Sequence, residues 1–380
     1  MKAGVGTSKN PIARMAGIEA AAEALSRSGS ANLTILYTTD NYKASSVLEG
    51  VKTIVGDSCV VGACGAGLFT ASEVIGQGVG VLTLAADEKR VKTALVQHND
   101  ADDWDSGVKL GQELLSTGIE QGTVFCYPDG FTGNITNVLL GLHDAIGINF
   151  TIIGGGTGDN LKFRQTCQMN EGGVVSNAVS AAVLSDCTMS VGVVHGWEPM
   201  DQSPLIVTRS NGRIVHEFDG RPAFKVYSDK LGCIDRENFS EVAMRYPLGI
   251  TSYENQYIIR DPLLAHEDGA IQFITEIPGQ SVAYIMKPVE DKDHIRAKNL
   301  SGSLLASVGQ PVFALVFYCV SLSLLKGEGF IEEINSLMKP LGSDLPVLGF
   351  LAFGEIGSSF TMPYFHNKSI CLGIGGRRCV

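Results

Sequence analysis

The sequence predicts a mixed α/β (α+β) fold in two halves, each a largely β sheet with helices packed on it. Helical and strand patterns alternate through the first half, whereas residues 151–215 consist of short β-rich runs separated by glycines. The 380 residues exceed the usual size of one compact core. We therefore expect two domains, at residues 1–220 and 221–380.

The N-terminal half is predicted to begin with a helix between Pro11 and Gly29, because proline suits the first helical turn and glycine the position after the last one. Residues 33–37 then form a buried strand, and a second helix ends at Gly56. The further strands of this half are predicted at 60–62, 79–84, 91–96 and 123–127, and its further helices at 104–115 and 134–146.

The boundary between the halves is predicted at 219–222, since Gly220 and Pro222 interrupt the preceding strand pattern. The apolar stretch 312–325 is shorter than the roughly 20 residues that cross a bilayer, and we interpret it as a buried strand. The C-terminal strands are predicted at 256–260, 270–275, 282–286, 311–319, 347–351 and 368–372, and the helices near 291–307 and 330–338.

Residues 60–67 and 347–354 resemble each other, because each has two apolar residues followed by glycines five positions apart. The likeness is either the remnant of a duplication or a coincidence between two strands that enter glycine turns.

Composition excludes several classes of function. The formal net charge is -11 and no segment gathers the basic residues, so binding to nucleic acid or to anionic membranes is not expected. The nine cysteines contain no Cys-x-x-Cys pair, and residues 1–6 lack the apolar core of a signal peptide. These features favour a cytoplasmic protein with free thiols and without membrane insertion.

A glycine run, Gly154, Gly155 and Gly156, follows an apolar strand and leads to Asp159. It lacks the Gly-Lys-Ser/Thr of a Walker loop and the third glycine of a dinucleotide fingerprint. Its backbone could approach a ligand closely, with Asp159 accepting hydrogen bonds from an amine or hydroxyl. The alternative is a tight turn capped by Asp159.

Two further motifs place polar groups at the ends of predicted strands. His195 and Trp197 follow one strand, where they form either the wall of a pocket or a packed turn. Glu355 stands among glycines and apolar residues, so it needs a partner if it is buried. That partner is either a ligand or a structural group such as Arg260.

Cys64 lies in a run of very small residues and is the candidate nucleophile of this chain. It needs a base such as His195 within hydrogen-bond reach, and no local signature marks such a pair. The seven histidines show no metal-ligand spacing, although one imidazole is enough to bind haem from one side.

In their order along the chain, these motifs resemble the FIST family, with its FIST N and FIST C regions. One departure concerns the N-terminal half, where similar proteins often have a Gly-Glu-Ile triplet but Gly67 is followed by Leu68 and Phe69. In the C-terminal half, residues 354–356 form the Gly-Glu-Ile triplet of the family. The resemblance covers about residues 33–372 and rests on the runs 61–67, 154–159, 195–197, 212–227, 258–262 and 349–357.

The resemblance implies a small-ligand sensory protein that is not an enzyme, with amino acids as one proposed ligand class. FIST-like sequence fills nearly the whole chain, so the resemblance also implies signalling to a separate protein, such as a histidine kinase or a cyclic-di-GMP enzyme. A branch called NosP binds haem and senses nitric oxide. If haem b binds here, His195 is the candidate axial ligand.

Three hypotheses follow. The first is a binding pocket between the halves, lined by the 154–156 loop, Asp159, His195, Trp197 and Glu355, with Cys64 and Arg260 as further candidates. The second is a haem-dependent nitric oxide sensor. The third, from a different class, is a hydrolase or transferase that uses Cys64.

Overall fold

The computed structural model describes residues 1–86, 90–98, 102–131, 134–185, 187–252, 256–289, 293–359 and 362–377. Helices within these residues are α1 (Ala13–Ser28), α2 (Ala44–Val55), α3 (Asp103–Leu115), α4 (Ile135–Ile146), α5 (Ala223–Lys230), α6 (Phe239–Arg245), α7 (Asp293–Ser307), α8 (Val320–Lys326) and α9 (Gly329–Leu341).

Strands within the described residues are β1 (Lys2–Ser8), β2 (Leu33–Thr39), β3 (Cys59–Gly65), β4 (Leu68–Thr70), β5 (Val74–Ile75), β6 (Val79–Ala85), β7 (Val91–Gln97), β8 (Gly122–Pro128), β9 (Phe150–Gly155), β10 (Gln168–Asn170), β11 (Gly173–Val175), β12 (Ala178–Leu184), β13 (Cys187–Val194), β14 (Trp197–Pro199), β15 (Leu205–Asn211), β16 (Ile214–Phe218), β17 (Arg221–Pro222), β18 (Leu248–Thr251), β19 (Tyr257–Arg260), β20 (Pro262–Ala265), β21 (Ile271–Phe273), β22 (Val282–Pro288), β23 (Pro311–Cys319), β24 (Val347–Ala352), β25 (Glu355–Ser359), β26 (Met362–His366) and β27 (Ile370–Arg377).

These strands form four sheets. Sheet I has the order β1-β6-β2-β3-β10-β11, sheet II the order β26-β25-β9-β8-β12-β7, and sheet III the order β13-β27-β23-β24-β4-β5. Sheet IV has the order β19-β18-β22-β15-β16-β21-β20, with β14 paired to β22 and β17 to β16. Parallel pairs occur at β2–β3, β8–β9 and β23–β24. The two strands of each pair are connected by a segment that contains a helix, because parallel neighbours need a crossover connection.

Each sheet is covered by its own helices. Apolar residues of α1 and α2 pack on sheet I, those of α3 and α4 on sheet II, those of α7, α8 and α9 on sheet III, and those of α5 and α6 on sheet IV. A sheet that carries helices on one face must bury its other apolar face as well. In sheets I, II and III, the faces without helices pack together in a shared core.

Aromatic residues dominate that shared core. Tyr37 of sheet I and Tyr127 of sheet II share a hydrogen bond of 2.8 Å between their hydroxyls, both fully buried. Phe317 and Phe350 of sheet III complete the cluster, with ring centroids 6.4 Å and 4.6 Å from that of Tyr37. The Tyr–Tyr pair satisfies two polar groups that would otherwise be costly to bury.

The mixed α/β prediction is confirmed, and the two halves exchange strands. In sheet II, β25 from the C-terminal half pairs with β9, and in sheet III, β24 pairs with β4. The predicted boundary at Gly220 falls at the turn between β16 and β17, and it stays a prediction. The origin of the 60–67 and 347–354 likeness also stays a hypothesis.

One predicted element is wrong. The apolar stretch 312–325 is not one strand, because β23 ends at Cys319 and the chain continues as helix α8. The predicted helix start at 291–292 lies outside the described residues. None of the helices in the described part of the chain is long and apolar enough to cross a membrane.

Candidate ligand-binding site

A cavity of about 260 Å³ lies where sheets II, III and IV come together. It is built from strand ends: two segments follow the parallel pair β8–β9, and two follow the parallel pair β23–β24. Ends of parallel strands are common binding positions, because loops diverge there. The cavity is lined by Gly130, Phe131, Leu161, Phe163, Arg213, Asp261, Leu263, Gln272, Phe273, Ile274, Cys319, Val320, Ser321, Phe353, Gly354 and Asn367.

One wall of this cavity consists of three phenylalanines, which we call the aromatic wall. The ring centroids of Phe131 and Phe353 are 5.1 Å apart, those of Phe163 and Phe353 5.9 Å, and those of Phe131 and Phe163 5.4 Å. Phe353 is buried, whereas 57% of Phe163 is exposed. Phe163 therefore lies at the mouth of the cavity, where a ligand would cover it.

Asp159 holds Phe163 in place. Its buried carboxylate accepts four backbone N–H groups, those of Lys162 (2.8 Å) and Phe163 (2.9 Å) on Oδ1 and those of Arg164 (2.8 Å) and Gln165 (3.3 Å) on Oδ2. These bonds have the geometry of the capped turn that we considered, and a contact of Asp159 with a ligand stays a prediction. Its carboxylate fixes the loop instead of facing the cavity.

The same loop has an unusual backbone. Leu161 has φ 59° and Phe163 has φ 52°, in the left-handed region that costs energy for residues with a side chain. The Asp159 hydrogen bonds hold both residues in this conformation, and both side chains line the cavity. The loop is thus shaped to present two apolar side chains to the cavity.

Another part of the lining is polar and buried. Asp261 Oδ2 lies 3.1 Å from Lys368 Nζ and accepts the Ser321 hydroxyl at 2.8 Å. Lys368 is fully buried. Burial raises the pKa of Asp261, while the ammonium of Lys368 and the Ser321 hydroxyl act to lower it. Asp261 lines the cavity, and Lys368 pairs with it without lining the cavity.

Arg213 lies beside the aromatic wall on the side of sheet IV. Both of its terminal nitrogens donate to the carbonyl of Phe131 at 3.4 Å, and its Nε lies 4.0 Å from Glu276 Oε1. Burial raises the pKa of Glu276, against the lowering effect of Arg260 and Arg213. The cavity is thus lined by a guanidinium as well as by the carboxylate of Asp261.

Glu355 lies beneath the cavity and does not line it. It is fully buried, and its Oε2 accepts the hydroxyl of Ser369 at 2.7 Å and the N–H of Ser369 at 3.3 Å. Burial raises its pKa well above the usual value, with Asp261 adding to the effect and Ser369 and Cys319 opposing it. Burial thus favours the protonated form of Glu355 over the carboxylate, and a contact of Glu355 with a ligand stays a prediction.

The pairing that we considered between Glu355 and Arg260 is not formed. Arg260 is buried and donates to three backbone carbonyls, those of Phe365 (2.8 Å), Glu276 (3.1 Å) and Ile259 (3.2 Å). These bonds join sheet IV to β26 of sheet II. Arg260 supports the cavity from behind and does not line it.

The glycines 154–156 approach protein backbone and line none of the cavities described here. Gly156 donates to Gly354 O at 2.8 Å and accepts from Phe353 N at 2.9 Å. A Cβ on Gly154 would lie 1.8 Å from Cys126 O. The small residues are needed so that β8, β9 and β25 can pack closely, and they place Phe353 and Gly354 at the cavity.

His195 and Trp197 lie at a different cavity, of about 150 Å³. The indole N–H of Trp197 donates to Lys368 O at 3.2 Å, and the Lys368 ammonium lies 5.9 Å from the centre of the Trp197 ring. Trp197 therefore packs behind the Asp261–Lys368 pair. The single cavity that we expected, lined by Asp159, His195, Trp197 and Glu355 together, is not found in the described part of the structure.

The surroundings of His195 do not fit a haem ligand. Its Nδ1 accepts the backbone N–H of Trp197 at 3.3 Å, so this nitrogen is already engaged. The adjoining cavity is of the size that holds a benzene molecule, which is far smaller than a porphyrin.

Cys64 lines a third cavity, of about 550 Å³, together with Asp159. Its thiol donates to Gly158 O at 2.9 Å, and no histidine is among the described residues that line this cavity. His195 lies at the other cavity, so the base that we considered for Cys64 is not in place. The geometry gives no support for a nucleophile activated in this way.

The most informative site residues were not predicted from the sequence. Asp261 and Phe353 lie within runs that carried the family resemblance, but nothing singled them out. Phe131 and Phe163 follow predicted strands in loops, where an aromatic residue among polar and glycine neighbours is a usable signal. Lys368 sits in a strand-end segment that gives no sign of a buried cation.

The fold defines a class of protein, one with two interleaved α/β halves and a cavity at the ends of their parallel strands. A family model for the FIST N domain matches residues 32–221, and one for the FIST C domain matches residues 223–358. The chain belongs to the FIST family, whose domains are generally regarded as sensory domains for small ligands.

A relative from the archaeon Methanocaldococcus jannaschii, described as an uncharacterized protein, is 28% identical over 233 residues. The match covers 59% of this chain and 45% of that relative. The chain thus spans less than half the length of this relative.

Proposed function

We propose that this protein binds a small zwitterionic molecule of the amino-acid class in the cavity behind Phe163. The observation that carries the proposal is the set of side chains that line this cavity, namely three mutually packed phenylalanine rings, a buried carboxylate and a guanidinium. The volume of about 260 Å³ exceeds that of a benzene-sized cavity and suits a small metabolite.

Each wall suits one part of such a ligand. An ammonium group is attracted to the faces of aromatic rings and to the carboxylate of Asp261. A carboxylate group is recognised by a guanidinium, here that of Arg213. Because Asp261 and Lys368 already neutralise each other, a ligand without net charge fits the cavity better than a simple cation or anion.

A thermal-shift panel of amino acids tests this proposal. A ligand at about 100 times its Kd should stabilise the protein by about 2.7 kcal/mol. The N-acetyl and the amide derivatives of the same amino acid lack one charge each, and both should lose most of the shift. A full panel without any stabilising compound would contradict the proposal.

Phe163→Ala is the most direct variant, because the exposed ring contributes little to the core. We expect about a 2- to 30-fold weaker Kd, in line with about 0.5 to 2 kcal/mol for a cation–π contact, at nearly unchanged stability. Ile148→Ala removes a comparably exposed apolar side chain on the surface and is the matched control. Equal affinity of both variants would place the ligand elsewhere.

Signalling through a separate protein, such as a histidine kinase or a cyclic-di-GMP enzyme, is part of the proposal and is supported by membership of the FIST family. The activity of such an enzyme should change when the chain is added with its ligand. Phe163→Ala protein should need more ligand for the same change. A partner that responds equally without ligand would contradict a sensory role.

The proposal also holds that the chain acts by binding and not by catalysis. Support comes from Cys64, whose thiol donates to a backbone carbonyl and has no histidine along its described cavity. Mass spectrometry of the ligand after long incubation with the protein should recover it unchanged. Conversion of the ligand would overturn this part of the proposal.

A further inference from the structure

Two cysteines that the proposed function does not use face each other across sheet I. Strands β3 and β10 are antiparallel, with Ala63 opposite Gln168 and Gly62 opposite Met169. The next pair along this register is Cys64 and Cys167, and the N–H of Cys64 donates to Cys167 O at 3.1 Å.

Such directly opposed positions have the spacing of a disulfide. Opposed residues in an antiparallel pair have Cα atoms about 4.5 to 5.5 Å apart, and disulfides span Cα distances of about 4.4 to 6.8 Å. A bond between Cys64 and Cys167 therefore requires rotation of the side chains and little movement of the backbone.

The two thiols also interact with each other. A hydrogen bond between them is the largest cause of the raised pKa of Cys167, followed by burial and the negative charge of a Cys64 thiolate. The neighbouring Cys64 therefore favours the thiol form of Cys167. A disulfide forms when one sulfur of such a neighbouring pair is oxidised and the other attacks it.

Both sulfur-bearing residues can be reached from outside. Cys64 and Cys167 line the cavity of about 550 Å³, and Cys167 is partly exposed. Cys64 itself is buried, so the cavity is its path to solvent, whereas Cys126 is fully buried and lines none of the cavities described here. A small oxidant that enters the cavity therefore meets the facing pair first.

We propose that Cys64 and Cys167 are a modification site that forms a reversible disulfide with a peroxide as oxidant. The Cys64 thiolate attacks one peroxide oxygen, the O–O bond breaks, and Cys64 becomes a sulfenic acid as hydroxide leaves. The Cys167 sulfur then attacks the sulfenic sulfur and releases its proton, and water departs. In sum, two thiols and one hydrogen peroxide give one disulfide and two waters.

Disulfide formation has a local consequence. It removes the thiol proton that Cys64 donates to Gly158 O, and Gly158 packs against the ring of Phe353 in the aromatic wall. We therefore expect oxidation to change ligand affinity as well. This consequence rests on the proposed function, whereas the disulfide itself does not.

The test uses the full chain treated with hydrogen peroxide, after which free thiols are blocked and the protein is digested without reductant. Mass spectrometry should find the Cys64 and Cys167 peptides joined, two hydrogen atoms lighter than their sum, and reductant should separate them. Cys64→Ser and Cys167→Ser should each abolish the joined peptide. Cys59→Ser, at the other end of β3, should keep it.

Two outcomes would overturn the proposal. One is oxidation of other cysteines while Cys64 and Cys167 remain separate thiols or become separate sulfinic acids. The other is an equal yield of the joined peptide from protein unfolded in urea, since the bond would then not depend on the β3–β10 geometry. Both are measured on the unaltered sequence, so they do not depend on the folding of a variant.

Discussion

At the scale of the residue, two histidines are held neutral by their surroundings. Burial lowers the pKa of His195 to about 4, with the positive charge of Arg296 adding to the effect. Burial lowers the pKa of His366 to about 3, with Arg260 and His195 adding to it. Protonation of either one therefore favours the unfolded chain.

The sign of the pH dependence follows from these shifts. An unfolded histidine takes up a proton near pH 6.5, whereas folded His366 does so only near pH 3, so its contribution to stability is present above pH 6.5 and lost as the pH falls. Between pH 8 and pH 5, about 2 kcal/mol should be lost through His366. His366→Gln should lose less stability than the wild type over this interval.

Urea denaturation at pH 8 and pH 5 measures this difference, and His294→Gln, at an exposed helical position, is the control. Asp261 and Glu355 act in the opposite direction, because their raised pKa values favour the folded state at low pH. Both groups are present in the wild type and in His366→Gln, so their effect cancels in the difference between the two proteins. Parallel loss of stability in the wild type and in His366→Gln would show that His366 is not held neutral.

Sequence reasoning found several unusual residues but did not identify all of their contacts. Asp159 and Glu355 were both selected as polar groups among glycines, and both are buried. Whether a buried carboxylate meets a ligand, a backbone amide or a serine depends on the path of distant segments. Ser369, which binds Glu355, is 14 residues away and carries no local signal.

At the scale of the element, strand β9 depends on close backbone contact. A Cβ on Gly154 would lie 1.8 Å from Cys126 O in the neighbouring strand β8, where no flexible side chain can move aside. Gly302 is the contrasting case, because a Cβ there has open space around it on helix α7.

Gly154→Ala should therefore destabilise the protein by about 1 to 3 kcal/mol or more, through forced separation of β8 and β9. Gly302→Ala should stabilise it by up to about 1 kcal/mol, since alanine favours the helix. Chemical denaturation of both variants measures the two changes. Destabilisation of equal size in both would contradict the packing described for β9.

Element types were predicted well where periodicity extended over a whole helix or a buried strand. Helix α1 ends before Gly29 as predicted, and β2 and β8 lie where the apolar runs indicated. The stretch 312–325 failed because a continuous apolar run has the same appearance in a buried strand and in a buried helix. The change at Cys319 is set by packing against sheet III.

At the scale of the whole molecule, the two halves are interleaved. Strand β25 completes sheet II beside β9, and β4 extends sheet III beside β24, so each half lacks pairing partners when the other is absent. Exposed strand edges with apolar faces would result.

Separate production of residues 1–220 and 221–380 tests this dependence. We expect each fragment alone to aggregate or to unfold without a cooperative transition, and co-expression to recover a folded complex. Circular dichroism during thermal unfolding measures the cooperativity. A cooperative transition of the isolated 1–220 fragment would show that its sheets do not need strands from the other half.

The family was accessible from the order of motifs along the chain. The cavity itself was not, because its walls come from loops separated by more than 200 residues in sequence, from Phe131 to Asn367. Only the folded chain brings Phe163, Asp261 and Phe353 to one cavity. Glycine runs indicated where strands approach, but not which side chains they present.

The most direct test of the central claim is a crystal structure of the protein with the amino acid that stabilises it most. We predict electron density for the ligand against Phe131, Phe163 and Phe353, with its ammonium group facing Asp261 and its carboxylate facing Arg213. Ligand density beside Cys64, beside His195 or on the surface, with the space behind Phe163 free of it, would contradict the account.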